Sequence, residues 1–250
     1  KTNSKQKLKD LSKRLKFGTG IAAGHILLWG VHLQGGDAAA MLQYASVVAS
    51  IANQGGDRMY VYVAHGMLSW AHYLLGDLTR ATEEMARSRQ VKEQLGSHGL
   101  ITDWFEALAA EILADAGEHK RAIEQAERAL VIADLSDGIY ARGIACRAAA
   151  RGLAGSSNAD WTRVNDMFGE SVHALGKGDA RLQQTRTYDR WADTLRRAGR
   201  VILQARLERI ERRLGLLRGE AGIERPAAAH RRARPRPGLQ VADLPERQGR

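Results

Sequence analysis

His65 and His72 lie seven residues apart, about two turns of a helix, with carboxylates nearby in sequence. Such a pair could hold a metal, but helical metal pairs use closer spacing, such as the i, i+4 histidines of HExxH, which this chain lacks. Hydrogen-bonded or solvated side chains are the expectation for both. Cys146, the single cysteine, stands in no motif, and its expected role is that of a small buried hydrophobe. Glu83–Glu84 and the pairs Glu124/Arg128 and Glu127/Val131 read as an exposed helix flank rather than as catalytic carboxylates. The chain contains no GxxxxGK[ST] phosphate loop, nucleophile elbow or dinucleotide fingerprint. No catalytic or metal-ligating set and no cofactor is therefore expected, and the chain reads as non-enzymatic.

A second set of residues could bind rather than react. Trp70, Tyr73, Trp104, Glu111 and Asp115 come first, with Asp189, Asp193, Arg196 and Arg197 further on. They combine large rigid aromatics with charges at helical spacing, which suits recognition of a peptide segment. Packing between helices is the competing role for Trp70 and Trp104.

Those residues need helices to position them, and the chain supplies helices in pairs. In Val61–Val91 the apolar residues Leu68, Ala71 and Leu75, then Leu78, Ala81 and Met85, recur three or four apart on either side of Gly76–Asp77, which predicts a helix–turn–helix hairpin. Similar hairpins are expected over about Ile21–Gln54 (turn Gly35–Asp37), Ile101–Asp134 (turn Gly117–Glu118), Gly138–Leu175 (turn Gly155–Asn158) and Arg181–Leu214 (turn Gly199–Arg200). The period near 40 residues marks a stack of units, none of which can bury its apolar face alone. All four prolines follow residue 225, so nothing before them breaks a helix. The expected fold is all-α, a right-handed solenoid of about five hairpins. If the first helix of each pair lines the concave side, the third and sixth residues before each turn glycine face the groove. These are Tyr73 and Trp70, then Ala114 and Glu111 beside Trp104 and Asp115, then Arg196 and Asp193 beside Asp189 and Arg197.

Charge divides the chain differently. Residues 1–16 and 206–250 each carry +6, and the stretch between carries −2. The expected domains are a basic N-terminal segment at 1–16, a repeat body at 17–215 and a Pro/Arg-rich, disordered tail at 216–250. Any nucleic-acid binding should come weakly through the basic ends, sequence-independent and salt-sensitive. One cysteine and no apolar run of ~18–20 residues point to a cytoplasmic protein without a membrane span. The first residue, Lys1, fits a piece of a longer protein.

The aligned hairpins resemble tetratricopeptide-like repeats through Leu68, Ala71, Gly76, Asp77, Leu78 and Ala81, through Gly117, Ala122, Ala126, Ala129 and Leu130, and through Ala192, Leu195, Gly199 and Ala205. Two features depart from that pattern: the closing proline of each repeat is missing, and Ala45, Met85 and Ala126 stand where the second helix usually carries a large aromatic. Gly24–Ala149 is further similar to the C-terminal repeat region of bacterial signalling ATPases fused to class III adenylate/guanylate cyclase or LuxR-type regulator domains. That resemblance implies a protein–protein interaction scaffold, the sensing or regulatory arm of such a protein, with a protein or peptide partner, or another domain of the same protein, in the groove. Two other functions fit the sequence: a small-ligand sensor with a pocket inside the superhelix, and nucleic-acid binding through the basic termini.

Overall fold

In the computed structural model, residues 2–96, 99–198, 210–213 and 215–216 are described, with side chains from Gly18 onward. Nine helices follow one another among them: α1 (Thr2–Gly35), α2 (Ala38–Gly55), α3 (Arg58–Leu74), α4 (Leu78–Gln94), α5 (Thr102–Asp115), α6 (His119–Leu135), α7 (Ile139–Ala154), α8 (Trp161–Lys177) and α9 (Arg181–Ala198). The described residues contain no strand. None of their helices is long and apolar enough to cross a membrane.

The turns are built as their residue types require. Gly36, Gly56, Gly76 and Gly117 all take positive φ, the conformation that ends a helix without a Cβ clash. The aspartate that follows three of them caps the next helix. Asp37 accepts from the Ala40 amide at 3.0 Å, Asp57 from Met59 at 3.0 Å and Asp77 from Arg80 at 3.0 Å. Each such cap contributes about 1 kcal/mol. The Gly-Asp dipeptide is thus a stop and a start in two residues.

Consecutive helices pack against each other from α1 to α9. The odd-numbered helices also touch one another, α3 with α5, α5 with α7 and α7 with α9, whereas the even-numbered ones make no comparable contacts. The odd helices therefore form the inner wall of an all-α solenoid and the even helices its outer layer. Alanine sets the spacing: Ala45, Ala64, Ala71, Ala81, Ala107, Ala129 and Ala145 are all fully buried in one continuous core. Gly66 takes this to its limit, since a Cβ there would sit 2.3 Å from the Phe105 ring. Cys146 is buried among these small residues, as its lack of motif implied.

From Thr2 onward, the basic segment and the first repeat helix are part of one helix, α1. The inner wall also curls until α9 touches α1. Leu182 then lies so close to the α1–α2 turn that a Cβ at Gly36 would stand 2.9 Å from it. The turn at Gly199–Arg200 and residues 217–250 of the tail lie outside the described residues.

Candidate functional site

The inner wall carries a buried ionic network where an open groove was expected. Glu111 on α5 and Arg147 on α7 are 2% and 4% exposed. They form a two-pronged pair, Arg147 Nε to Glu111 Oε1 at 3.0 Å and Nη2 to Oε2 at 3.2 Å. Arg147 Nη1 then donates to the Gln183 carbonyl, Gln183 Oε1 and Thr187 Oγ1 of α9, each at 3.2 Å. One turn further along, Arg151 pairs with Asp115. Asp115 also accepts from Arg190 at 3.3 Å and from the Tyr73 hydroxyl at 2.6 Å. Tyr73 donates to Glu111 as well, at 3.1 Å. Four helices of the inner wall are tied together by these contacts.

The electrostatics follow from burial. Removal from water alone would raise the pKa of Glu111, but Arg147 and Arg151 more than offset this and hold it below its ordinary value. For Asp115 burial is likewise outweighed by Arg151 and Arg190, and for Glu106 by Arg89 and Lys92. Burial, reinforced by the Glu111 and Asp115 carboxylates, raises Tyr73 well above the phenol range, so its hydroxyl stays a donor. Each of the three carboxyls is more acidic folded than unfolded. Its stabilising contribution is complete above the unfolded pKa, about 4, and is lost as pH falls through the lower folded value. Urea midpoints should therefore be flat between pH 7 and pH 5 and drop progressively below about pH 4. A midpoint that falls already between pH 7 and pH 5 would contradict this assignment.

The sequence-predicted site residues divide into three groups. Tyr73, Glu111 and Asp115 come together in the network. Trp70, 2% exposed, is core: its ring meets Trp29 edge-on at 5.9 Å and Trp104 at 6.1 Å. Trp104 is half-buried and stacks on Tyr140 at 4.5 Å, so an aromatic column crosses α1, α3, α5 and α7. Asp193 and Arg196 are not brought to the network; they pair with each other at 2.6 Å, and Arg196 reaches Glu211 at 2.7 Å. Arg197 is exposed and Asp189 half-buried on the same helix. A fixed offset from the turn glycine fails on α9 because that helix swings back toward α1, so its first half (Gln183, Thr187, Arg190) meets the network. Glu84 also departs from the exposed flank assigned to it. It faces α3 and holds His65 Nδ1 at 2.6 Å. No group of three or more His, Cys, Asp or Glu able to hold a metal occurs among the described residues.

Sequence reasoning missed Arg147, Arg151, Gln183, Arg186 and Arg190. A signal existed for two of them. Arg147 and Arg151 interrupt an alanine-rich helix four residues apart, as Glu111 and Asp115 do, and the offset between the two pairs is 36 residues, close to one repeat.

The same comparison of repeats exposes a second surface. The turn amides of Gly36, Gly76, Gly117 and Ser156 bond the carbonyls of Leu33, Tyr73, Ala114 and Leu153, which aligns the four inner helices. In that register Arg147 and Arg151 match Leu108 and Ile112 on α5, Met67 and Ala71 on α3, and Leu27 and Val31 on α1. On α7 these two positions meet the preceding inner helix, through Glu111 and Asp115. On α5 and α3 all four residues are buried. On α1, Leu27 is 73% and Val31 65% exposed, flanked by exposed Ile21 and Leu28. The face is that of an interior repeat with no neighbour against it among the described residues. No protein-family model matches this chain, and a search of curated proteins finds no match either.

Proposed function

We propose that the chain is a non-enzymatic, tetratricopeptide-like interaction domain, the sensing or regulatory arm of a bacterial signalling ATPase, cyclase or transcription regulator. The open stacking face of α1 carries this reading. Terminal repeats that end in water present a polar outer side, whereas α1 presents Leu27 and Val31 at positions that α3 and α5 bury and α7 pairs. The chemistry that fits is another helical hairpin of the same geometry, laid along α1 as α3 is laid along α5. A peptide in the inner groove is less well supported, because the network and the aromatic column occupy that space.

A photo-crosslinking amino acid placed at Leu27 in the producing cell tests the reading. Crosslinks from Leu27 should map to a helical segment of a protein. Crosslinking no greater than from exposed Lys120 on α6 would overturn it.

A further inference from the structure

The inner wall has more donors than acceptors. Its buried network sets the carboxylates of Glu111 and Asp115 among the guanidinium groups of Arg147, Arg151, Arg186 and Arg190. Both carboxylates are used by other partners: Glu111 by Arg147, Arg151 and Tyr73, Asp115 by Arg151, Arg190 and Tyr73. Arg186 has no carboxylate or hydrogen-bond acceptor among the described residues. Its Nη2 points to the α1–α2 turn, where a Cβ at Gly36 would stand 3.7 Å away. Arg186 is only half-buried, and partial burial and the neighbouring Arg147 cation together pull its pKa down.

Two more donors are left over beside it. Gln183, one turn before Arg186 on α9, gives its Oε1 to Arg147 and leaves its buried Nε2 without a partner. The buried Tyr140 hydroxyl on α7 has no acceptor within hydrogen-bond distance; it faces the Gln183 amide, whose N–H lies close enough to pull the phenol pKa down slightly, in the field of Arg186 and Arg147. Burial raises this phenol to about 12, so it remains protonated and able to donate at neutral pH. An unpaired buried donor is costly. A cation, an amide N–H and a phenol O–H gathered at one place, with the Glu111 and Asp115 carboxylates already used, lack the same thing: oxygen atoms carrying negative charge. Each alone is a tolerable defect, and together they form the donor set of an anion site.

We infer that Arg186, Gln183 and Tyr140 form a binding site for the carboxylate or phosphate group of a small ligand, between α7, α9 and the α1–α2 turn. The oxyanion accepts from the Arg186 guanidinium, from Gln183 Nε2 and from the Tyr140 hydroxyl. Its charge also offsets the excess of arginine over carboxylate on the wall. Because α9 meets α1 at this place, occupation ties the last described inner helix to the first turn of the solenoid. The site goes beyond the docking role of α1 and does not depend on it.

Thermal melting of the whole chain in sodium phosphate, in sodium acetate and in sodium chloride of equal ionic strength tests the inference, with isothermal titration of phosphate alongside. The wild type should gain melting temperature saturably with phosphate, acetate or both, beyond the chloride control. A response to phosphate alone assigns a phosphoryl group, and a response to acetate alone assigns a carboxylate. Arg186→Gln should weaken anion binding about tenfold or more, the worth of one charge-assisted bond. In chloride the same variant should melt at or above the wild-type temperature, since it removes an unpaired cation beside Arg147. Tyr140→Phe should weaken binding several-fold, whereas Arg87→Gln on the outer layer should leave it unchanged. The inference is overturned if neither oxyanion exceeds chloride, or if Arg186→Gln responds to phosphate as the wild type does.

Discussion

Arg147→Met is expected to lose about 3–5 kcal/mol of stability, because it strands Glu111 as an uncompensated buried charge. Methionine keeps the aliphatic stem of arginine but not the guanidinium head, so part of the loss comes from the space that head leaves. Among the described residues, Arg147 is the one that bonds both α5 and α9 from α7, through Glu111, Gln183 and Thr187. Removing it leaves the Glu111 carboxylate, 2% exposed, with Tyr73 and a 3.9 Å approach from Arg151. The pair itself need not be a net source of stability. Two charges lose hydration on burial, and an apolar pair of similar volume is often equal or better. Glu111→Leu combined with Arg147→Met should therefore recover most of the loss seen in Arg147→Met alone. Urea denaturation of the wild type, both single variants and the double variant measures this as a double-mutant cycle. If Arg147→Met costs less than about 1 kcal/mol, water reaches Glu111 and the network belongs to the surface.

The local parts of this fold were legible because each is written in adjacent residues. Gly76–Asp77 carries both the left-handed stop and the cap of the next helix, and the same dipeptide at Gly36–Asp37 marks the first turn. The spacing of these signals yields the hairpins, and small residues such as Ala71 and Ala81 yield close packing between them. The site was legible only in part. Tyr73 and Glu111 sit three and six residues before Gly76 and Gly117, with Asp115 one turn beyond Glu111, and the three meet on one wall. The partners that decide their chemistry lie on α7 and α9. Arg190 meets Asp115 across 75 residues of chain, and that contact depends on how far each hairpin rotates relative to the last. Rotation per repeat is set by the volumes of many packed side chains, among them the Gly66–Phe105 contact, and no single motif encodes it. That accumulated rotation is what brings α9 back to α1 and to the wall that carries Glu111 and Asp115.

The aromatic column decides the second large effect. Trp70→Ala should lower stability by about 3–5 kcal/mol, the usual cost of truncating a buried tryptophan. For a chain of this size that corresponds to a fall of roughly 6–20 °C in melting temperature. The ring contacts Trp29 and Trp104 edge-on and Tyr140 at 6.3 Å, so its loss removes partners from three other helices at once. Small neighbours such as Ala71 and Ala107 cannot close such a space, since alanine has no side-chain freedom to spend on repacking. Trp104→Ala should cost less, because its ring is only half-buried and leans on Tyr140 from one side. Near-ultraviolet circular dichroism separates the two: Trp70→Ala should collapse the signal of the coupled rings, and Trp104→Ala should reduce it. A site aromatic behaves in the opposite way, with native melting and lost binding. If Trp70→Ala melts within a few degrees of the wild type, the column is not what holds α1, α3, α5 and α7 together, and the inner wall is free to open for a partner.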